Sequence, residues 1–204
     1  AAALGVCVGA HPGYPDLLGF GRRELGASAA EVTAYVLYQV GALAAICRAE
    51  GVVLRYVKPH GALYNLASVD VQIADAVASG VKLADPDLML LGLAGSALSD
   101  AGLSAGLRTA SEAFADRAYL PDGSLVPRDR PGAVLTNEDQ VVSQALSIIL
   151  DERVRTTDGG ELQVHADSLC VHGDNPHAPA LLAALRARLN ERGITIAAFA
   201  RRAT

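Results

Sequence analysis

At 204 residues the chain is long enough for one α/β domain, which at that size buries roughly 70% of the surface its unfolded form exposes. A net charge of −5, with two lysines beside fifteen arginines, lacks the basic field that neutralises a phosphate backbone, so nucleic acid is excluded as a partner. Although 51% of residues are hydrophobic, no uninterrupted apolar run nears the ~18 residues of a membrane span, which assigns that material to a core or a subunit interface.

The chain opens Ala1-Ala2-Ala3-Leu4-Gly5, which reads as the tail of a helix with its glycine stop, so a segment is expected before residue 1. No basic, then apolar, signal pattern follows. Short apolar runs then alternate with amphipathic stretches, the pattern of βα units. Strands are expected at Val6 to Ala10, Val53 to Val57, Leu88 to Leu93, Leu107 to Ala110, Ser168 to Val171 and Ile194 to Phe199. The clearest helix runs from Ser28 to about Glu50: Ser28 with Glu31 makes a capping box, Val32, Val36, Val40 and Leu43 share a face, and Gly51 stops it. Further helices are expected over Val71 to Ser79, Ser96 to Ser104, Asn137 to Leu150 behind a Thr136 cap, and Ala178 to Arg192. Residues 120–133, rich in Pro and Gly, read as a surface excursion, and 153–166 as a small hairpin turning at Asp158-Gly159-Gly160. No linker interrupts the pattern, which gives one domain over 1–204. Cys7, Cys47 and Cys170 are odd in number and widely spaced, which points to reduced thiols and a cytoplasmic address.

In a parallel α/β barrel the chemistry gathers just past the carboxyl ends of the strands. Three of the five histidines stand there: His11 in His11-Pro12-Gly13-Tyr14-Pro15-Asp16, His60 in the loop Lys58 to Asn65, and His172 in His172-Gly173-Asp174-Asn175-Pro176. Each of these sequences also makes a good turn, and the joint placement is what favours catalysis. His165 and His177 have no such support and read as structural or exposed. Lys58, held extended before Pro59, is directed toward the same end and suits anion binding. After the strand ending near Ala110, Glu112, Asp116 and Arg117 form either a working carboxylate–cation group or a strand-end salt bridge. Arg22-Arg23 behind Gly19-Phe20-Gly21 leaves the same alternatives open. There is no GxxxxGK[ST] and no GxGxxG. Gly92-Leu93-Ala94-Gly95-Ser96 reads as tight helix–strand packing before a phosphate cradle. His11, His60 and His172, with Asp174 or Asp116, offer nitrogen and oxygen ligands for a divalent metal without any short ligand spacing.

Gly9 to Asp16, Val57 to Asn65, Gly92 to Ser96, Glu112 to Tyr119 and Cys170 to Pro176 together resemble, in order and almost end to end, the signature blocks of the LamB/YcsF family. The resemblance implies a distorted, seven-stranded, TIM-like (β/α) barrel similar to that of the polysaccharide deacetylases. It also implies ATP-dependent cleavage of 5-oxoproline to glutamate, with Mg²⁺ accompanying the nucleotide, in a complex where this chain is the A subunit beside partner B and C subunits. An amino-terminal stretch with an Asn-Cys-Asp strand and a Cys-Gly-Phe-His loop, usual in the family, has no match, so the first barrel strands are expected to be missing. On this reading Lys58 and Arg117 stabilise anions, His60 or Asp116 is the general base, and His172 with Asp174 donates or orients a proton. His11, Asp16, Arg22, Tyr64, Asn65, Glu112 and Asn175 complete the expected substrate- and phosphate-binding set. The alternatives are a metal-dependent amide or sugar deacetylase and a non-catalytic subunit; self-association stays open.

Overall fold

The computed structural model describes residues 1–173 and 178–200, an α/β fold that divides into two compact units: Ala1–Ala110 with Ala198–Thr204, and Ser111–Ala197. Sequence reading gives one domain because the division falls inside a strand, where no composition changes.

In the first unit β1 (Val8–Ala10), β2 (Leu54–Val57) and β3 (Met89–Leu93) run parallel, Ala10 beside Val57 and Val57 beside Leu90. Leu90 to Leu93 are all buried, as a parallel strand covered on both faces requires. Gly9 is needed in β1: a Cβ there would lie 2.3 Å from the Tyr56 ring, which also meets Phe199 edge-on. Helix α1 (Ala29–Ala49) starts at the Ser28–Glu31 capping box. It ends in a left-handed Gly51, with Val52 N–H bonded to Cys47 O at 2.7 Å and Gly51 N–H to Arg48 O at 3.2 Å, a Schellman closure. By length and composition α1 could cross a membrane; in this fold its Val32, Val36 and Val40 are fully buried. It packs closely on residues 76–80, since Gly80 leaves room for Val36 and Thr33 Oγ1 donates to Ala76 O at 3.0 Å.

Helix α2 (Gly61–Val69) occupies what reads in sequence as a loop. Asp70 then caps α3 (Val71–Ala84), which runs five residues past its expected end because Val81 is still core. Helix α4 (Ala97–Ser104) follows β3 behind a Ser96 cap.

Strand β4 (Arg108–Phe114) enters the second unit and extends beyond Ala110, where Glu112 to Phe114 pair in parallel with Ser168 to Cys170. Helix α5 (Glu138–Leu146) is capped by Asn137 rather than Thr136: Asn137 Oδ1 accepts from Gln140 N–H. A wider π turn, Ser147–Asp151, follows and ends at left-handed Glu152. Strands β5 (Arg153–Arg155) and β6 (Glu161–Gln163) form an antiparallel pair, so His165 lies beyond the strand, exposed and paired with Glu152. After β7 (Ser168–Cys170), helix α6 (Ala178–Glu191) packs Leu181, Leu185 and Leu189 against Val141 and Ala145 of α5 and against Ala115. Ile194–Phe199 is not a strand. Its first N–H turns back to Leu189 O, and Ile194 packs on the α5–α6 cluster instead of joining a sheet.

Candidate active site

Each unit assembles its own group of predicted residues at the carboxyl ends of its parallel strands. In the first unit the chain leaves β1 at His11 and β2 at Lys58. Lys58 N–H donates to Ala10 O, and His60 N–H to Pro12 O, which carries the strand pairing into the two loops. His11 Nδ1 lies 2.6 Å from Lys58 O, His11 Nε2 lies 2.9 Å from His60 Nδ1, and His60 Nε2 lies 2.7 Å from Phe20 O. The two imidazoles meet edge to face at 4.7 Å. All four ring nitrogens thus lie within hydrogen-bond distance of a partner. Among the described residues no cluster of three metal-ligating side chains occurs.

The loop that receives His60 is held in an uncommon conformation. Phe20 has φ 55, a value that costs a bulky residue energy and persists only where surrounding contacts impose it. Asp16 imposes much of it. Its buried carboxylate accepts from Gly19 N–H at 2.9 Å and from Arg23 Nε at 2.9 Å, with a second bond to Arg23 Nη2. Arg23, chiefly through that hydrogen bond, lowers the Asp16 carboxyl to about 2. Arg22 instead points over the Phe20 ring at 5.4 Å. The far side of the loop is tied to α1 by Gln39, which accepts from Gly13 N–H and donates to Gly13 O. Gly21 and Gly61 cross closely: a Cβ at Gly61 would lie 2.5 Å from Gly21 O. His60 is the residue before α2, and Tyr64 and Asn65 are helical, not loop, residues. Tyr64 is buried with its ring 5.8 Å from Lys58 Nζ, and Asn65 is exposed.

In the second unit Asp116 is fully buried beyond β4 and His172 follows β7. Asp116 accepts from His172 backbone N–H at 2.9 Å and faces His172 Nδ1 at 3.0 and 3.1 Å. Burial is the largest influence on this carboxyl and opposes its ionisation, yet the hydrogen bonds and charge of His172 together hold it below the ordinary carboxylate range. Phe114 stacks on the His172 ring at 5.6 Å. The carboxylate fixes the Nδ1–H tautomer and leaves Nε2 as the basic nitrogen.

Arg117 is also buried, but its guanidinium donates to Ala133 O at 3.1 Å and Val126 O at 2.5 Å, which fastens the 120–133 excursion to the end of β4. Burial, then Arg128, works against its charge, and Asp116 supports it. Glu112 lies within β4, buried; the Tyr119 phenol is pushed up chiefly by its own burial, with the Glu112 charge adding to it. Gln144 of α5, unremarked in sequence, donates to Phe114 O, Ala115 O and Arg117 O and so sets the turn that carries Asp116. Asp174, Asn175 and His177 lie outside the described residues. The Gly92–Ser96 junction is packing: a Cβ at Gly92 would stand 3.0 Å from Ser99 Oγ, and Ser96 Oγ accepts from Ser99 N–H.

The LamB/YcsF family model matches residues 1–204. The A subunit of a 5-oxoprolinase from Geobacillus thermodenitrificans is 53% identical over 195 residues, 96% of this chain and 76% of that one. The corresponding 5-oxoprolinase A subunit of Thermus thermophilus is 50% identical over 199 residues, 98% of this chain and 80% of its own. A crystal structure of a lactam utilization protein, also from Thermus thermophilus, superposes with a TM-score of 0.89 at 49% identity, covering 98% of this chain and 79% of that one. With the whole chain matched and half of its residues shared with these relatives, the protein belongs to the LamB/YcsF family.

Proposed function

We propose that the protein opens the lactam ring of 5-oxoproline to give glutamate, as the A subunit of an ATP-dependent 5-oxoprolinase with partner B and C subunits in the cytoplasm. The observation that carries this reading is the Asp116–His172 pair, a buried carboxylate that orients an imidazole while leaving Nε2 available. A lactam is resonance-stabilised, so its opening needs an activated water and a proton for the departing nitrogen. His172 Nε2 takes the water's proton and returns one to nitrogen, and Asp116 orients the ring and stabilises its charged form, the division of labour of a hydrolytic triad. His172 is thus proposed as the general base in place of His60 or Asp116; both carboxylate oxygens of Asp116 face His172. Lys58, which leaves β2 beside Tyr64, is proposed to bind an anion. The closed, TIM-like barrel of the family is part of the same proposal.

ATP, with Mg²⁺, would supply the driving force by phosphoryl transfer to the amide oxygen. With no GxxxxGK[ST] in the chain, nucleotide binding is assigned to the assembled complex. The test is glutamate release from 5-oxoproline by the reconstituted complex, with and without ATP. His172→Ala should lower turnover by roughly 10²- to 10⁴-fold with folding intact. ATP-independent turnover, or a fully active His172→Ala complex, would defeat the proposal.

A further inference from the structure

Helix α5 carries Gln144 one residue before Ala145 and three after Val141, on the face whose apolar residues pack against Ala115. An apolar side chain would suit that place, and a half-buried amide there costs free energy unless it is hydrogen-bonded. The Gln144 Nε2 meets three carbonyls: Phe114 O at 2.8 Å, Arg117 O at 2.8 Å and Ala115 O at 3.2 Å. Carbonyl oxygens only accept, so all three contacts require the NH2 end of the amide, and its two hydrogens serve them by sharing. In an extended strand neighbouring carbonyls point in opposite directions, so these three converge on one nitrogen only because the chain curls as it leaves β4. The carbonyl between them, Asp116 O, is held from elsewhere by Leu135 N–H at 2.8 Å. The backbone on both sides of Asp116 is thereby fixed.

Two residues of that curl touch the His172 ring. Asp116 faces Nδ1, and Phe114 stacks on the ring with centroids 5.6 Å apart and planes 25° from parallel. Phe114 is held at both of its backbone groups, at O by Gln144 and at N–H by the Tyr119 hydroxyl, which accepts at 2.8 Å. We propose that Gln144 is the positioning residue of this site: one side-chain amide fixes the edge contact and the face contact of the His172 imidazole together, by holding the carbonyls on either side of Asp116. It acts through Asp116 and Phe114, and Tyr119 is the second anchor of Phe114. This rests on the proposed function and deepens it, since His172 Nε2 must be aimed at a water to take its proton.

The test uses Gln144→Met, which keeps the length and removes the donors, and Tyr119→Phe, which keeps the ring and removes the acceptor for Phe114 N–H. In the reconstituted complex Gln144→Met should lower kcat by roughly 10²-fold with KM unchanged, because a misaimed group costs rate while the substrate's own contacts stay. In the full chain without substrate, the His172 ring-proton resonances should lose the ring-current displacement that Phe114 imposes, in both variants. A kcat at the unsubstituted level, whatever the KM, or ring resonances that stay in place in a folded variant, would overturn the proposal. If neither variant folds, the unsubstituted ¹³C,¹⁵N-labelled chain decides. Gln144 Nε2 should then show scalar couplings across its hydrogen bonds to the Phe114 and Arg117 carbonyl carbons, with slow exchange of its side-chain hydrogens. An amide that exchanges like an exposed one and shows no such coupling would overturn the proposal. The resonance measurements involve no substrate, so their failure is distinguishable from loss of the lactam-opening reading, which is tested by turnover.

Discussion

Asp116 meets His172 directly, carboxylate to Nδ1. Replacing Asp116 by Asn retains the shape but turns an acceptor into a partial donor beside Nδ1–H, which favours the wrong tautomer. Asp116→Asn should lower kcat by roughly 10²- to 10⁴-fold and change the pH–rate profile. An unchanged profile in the reconstituted complex would show that Asp116 does not position the base. Asp16 gives a second prediction. Its folded-state pKa, about 2, lies below the 3.8 of an unperturbed aspartate, so its contribution is fully present above that unfolded value and is lost as pH falls through about 2. The 12–23 loop should therefore loosen between roughly pH 4 and pH 2, read from the Gly19 amide resonance or its hydrogen exchange. Asp16→Asn should show that loosening at neutral pH. The acids and bases of both groups are side chains and could be read from sequence. Their fixed partners, Lys58 O, Phe20 O and the carbonyls that Arg117 and Gln144 engage, belong to the backbone and leave no mark there.

Elements were legible where their signals are local. Helix α1 begins and ends where Ser28, Glu31 and Gly51 place it, because capping involves residues within one turn. Helix α2 was missed because Pro59-His60-Gly61 carries turn chemistry, and what sustains it is burial of Ala62, Leu63, Tyr64 and Ala67. Ile194 and Ile196 imitate a strand, but Ile194 is consumed by the helical cluster and Ile196 is exposed. Two glycines on the helices provide a paired test. Gly80→Ala would gain up to ~1 kcal/mol of helix propensity but place a Cβ 2.8 Å from Val36 Cβ and 2.9 Å from Thr33 O. Overpacking of that kind costs about 1–3 kcal/mol, so the substitution should destabilise by chemical denaturation. Gly41→Ala on α1 meets nothing within 4 Å and should stabilise by about 0.5–1 kcal/mol. If both changed stability alike, packing at the α1–α3 crossing would not be the reason for Gly80.

Across the whole molecule the choice of arginine over lysine leaves only two side-chain amines, Lys58 and Lys82. Lys82 reaches Ala105 O at the end of α4, while Lys58 leaves β2 beside Tyr64. Reductive ¹³C-methylation should therefore give two lysine signals. Adding 5-oxoproline to the complex should move that of Lys58 and leave that of Lys82 in place; movement of Lys82 alone would remove Lys58 from the anion-binding role. The crossing of Gly21 over Gly61 reaches further still. Neither residue has a side chain with which to do chemistry, yet any substituent at 61 would collide with the Gly21 carbonyl and pry His60 from its partners. A saturation-mutagenesis screen scored on growth would thus rank these two inert positions alongside the histidines, and a map of essential residues drawn from such a screen would mark architecture and reactivity with the same intensity.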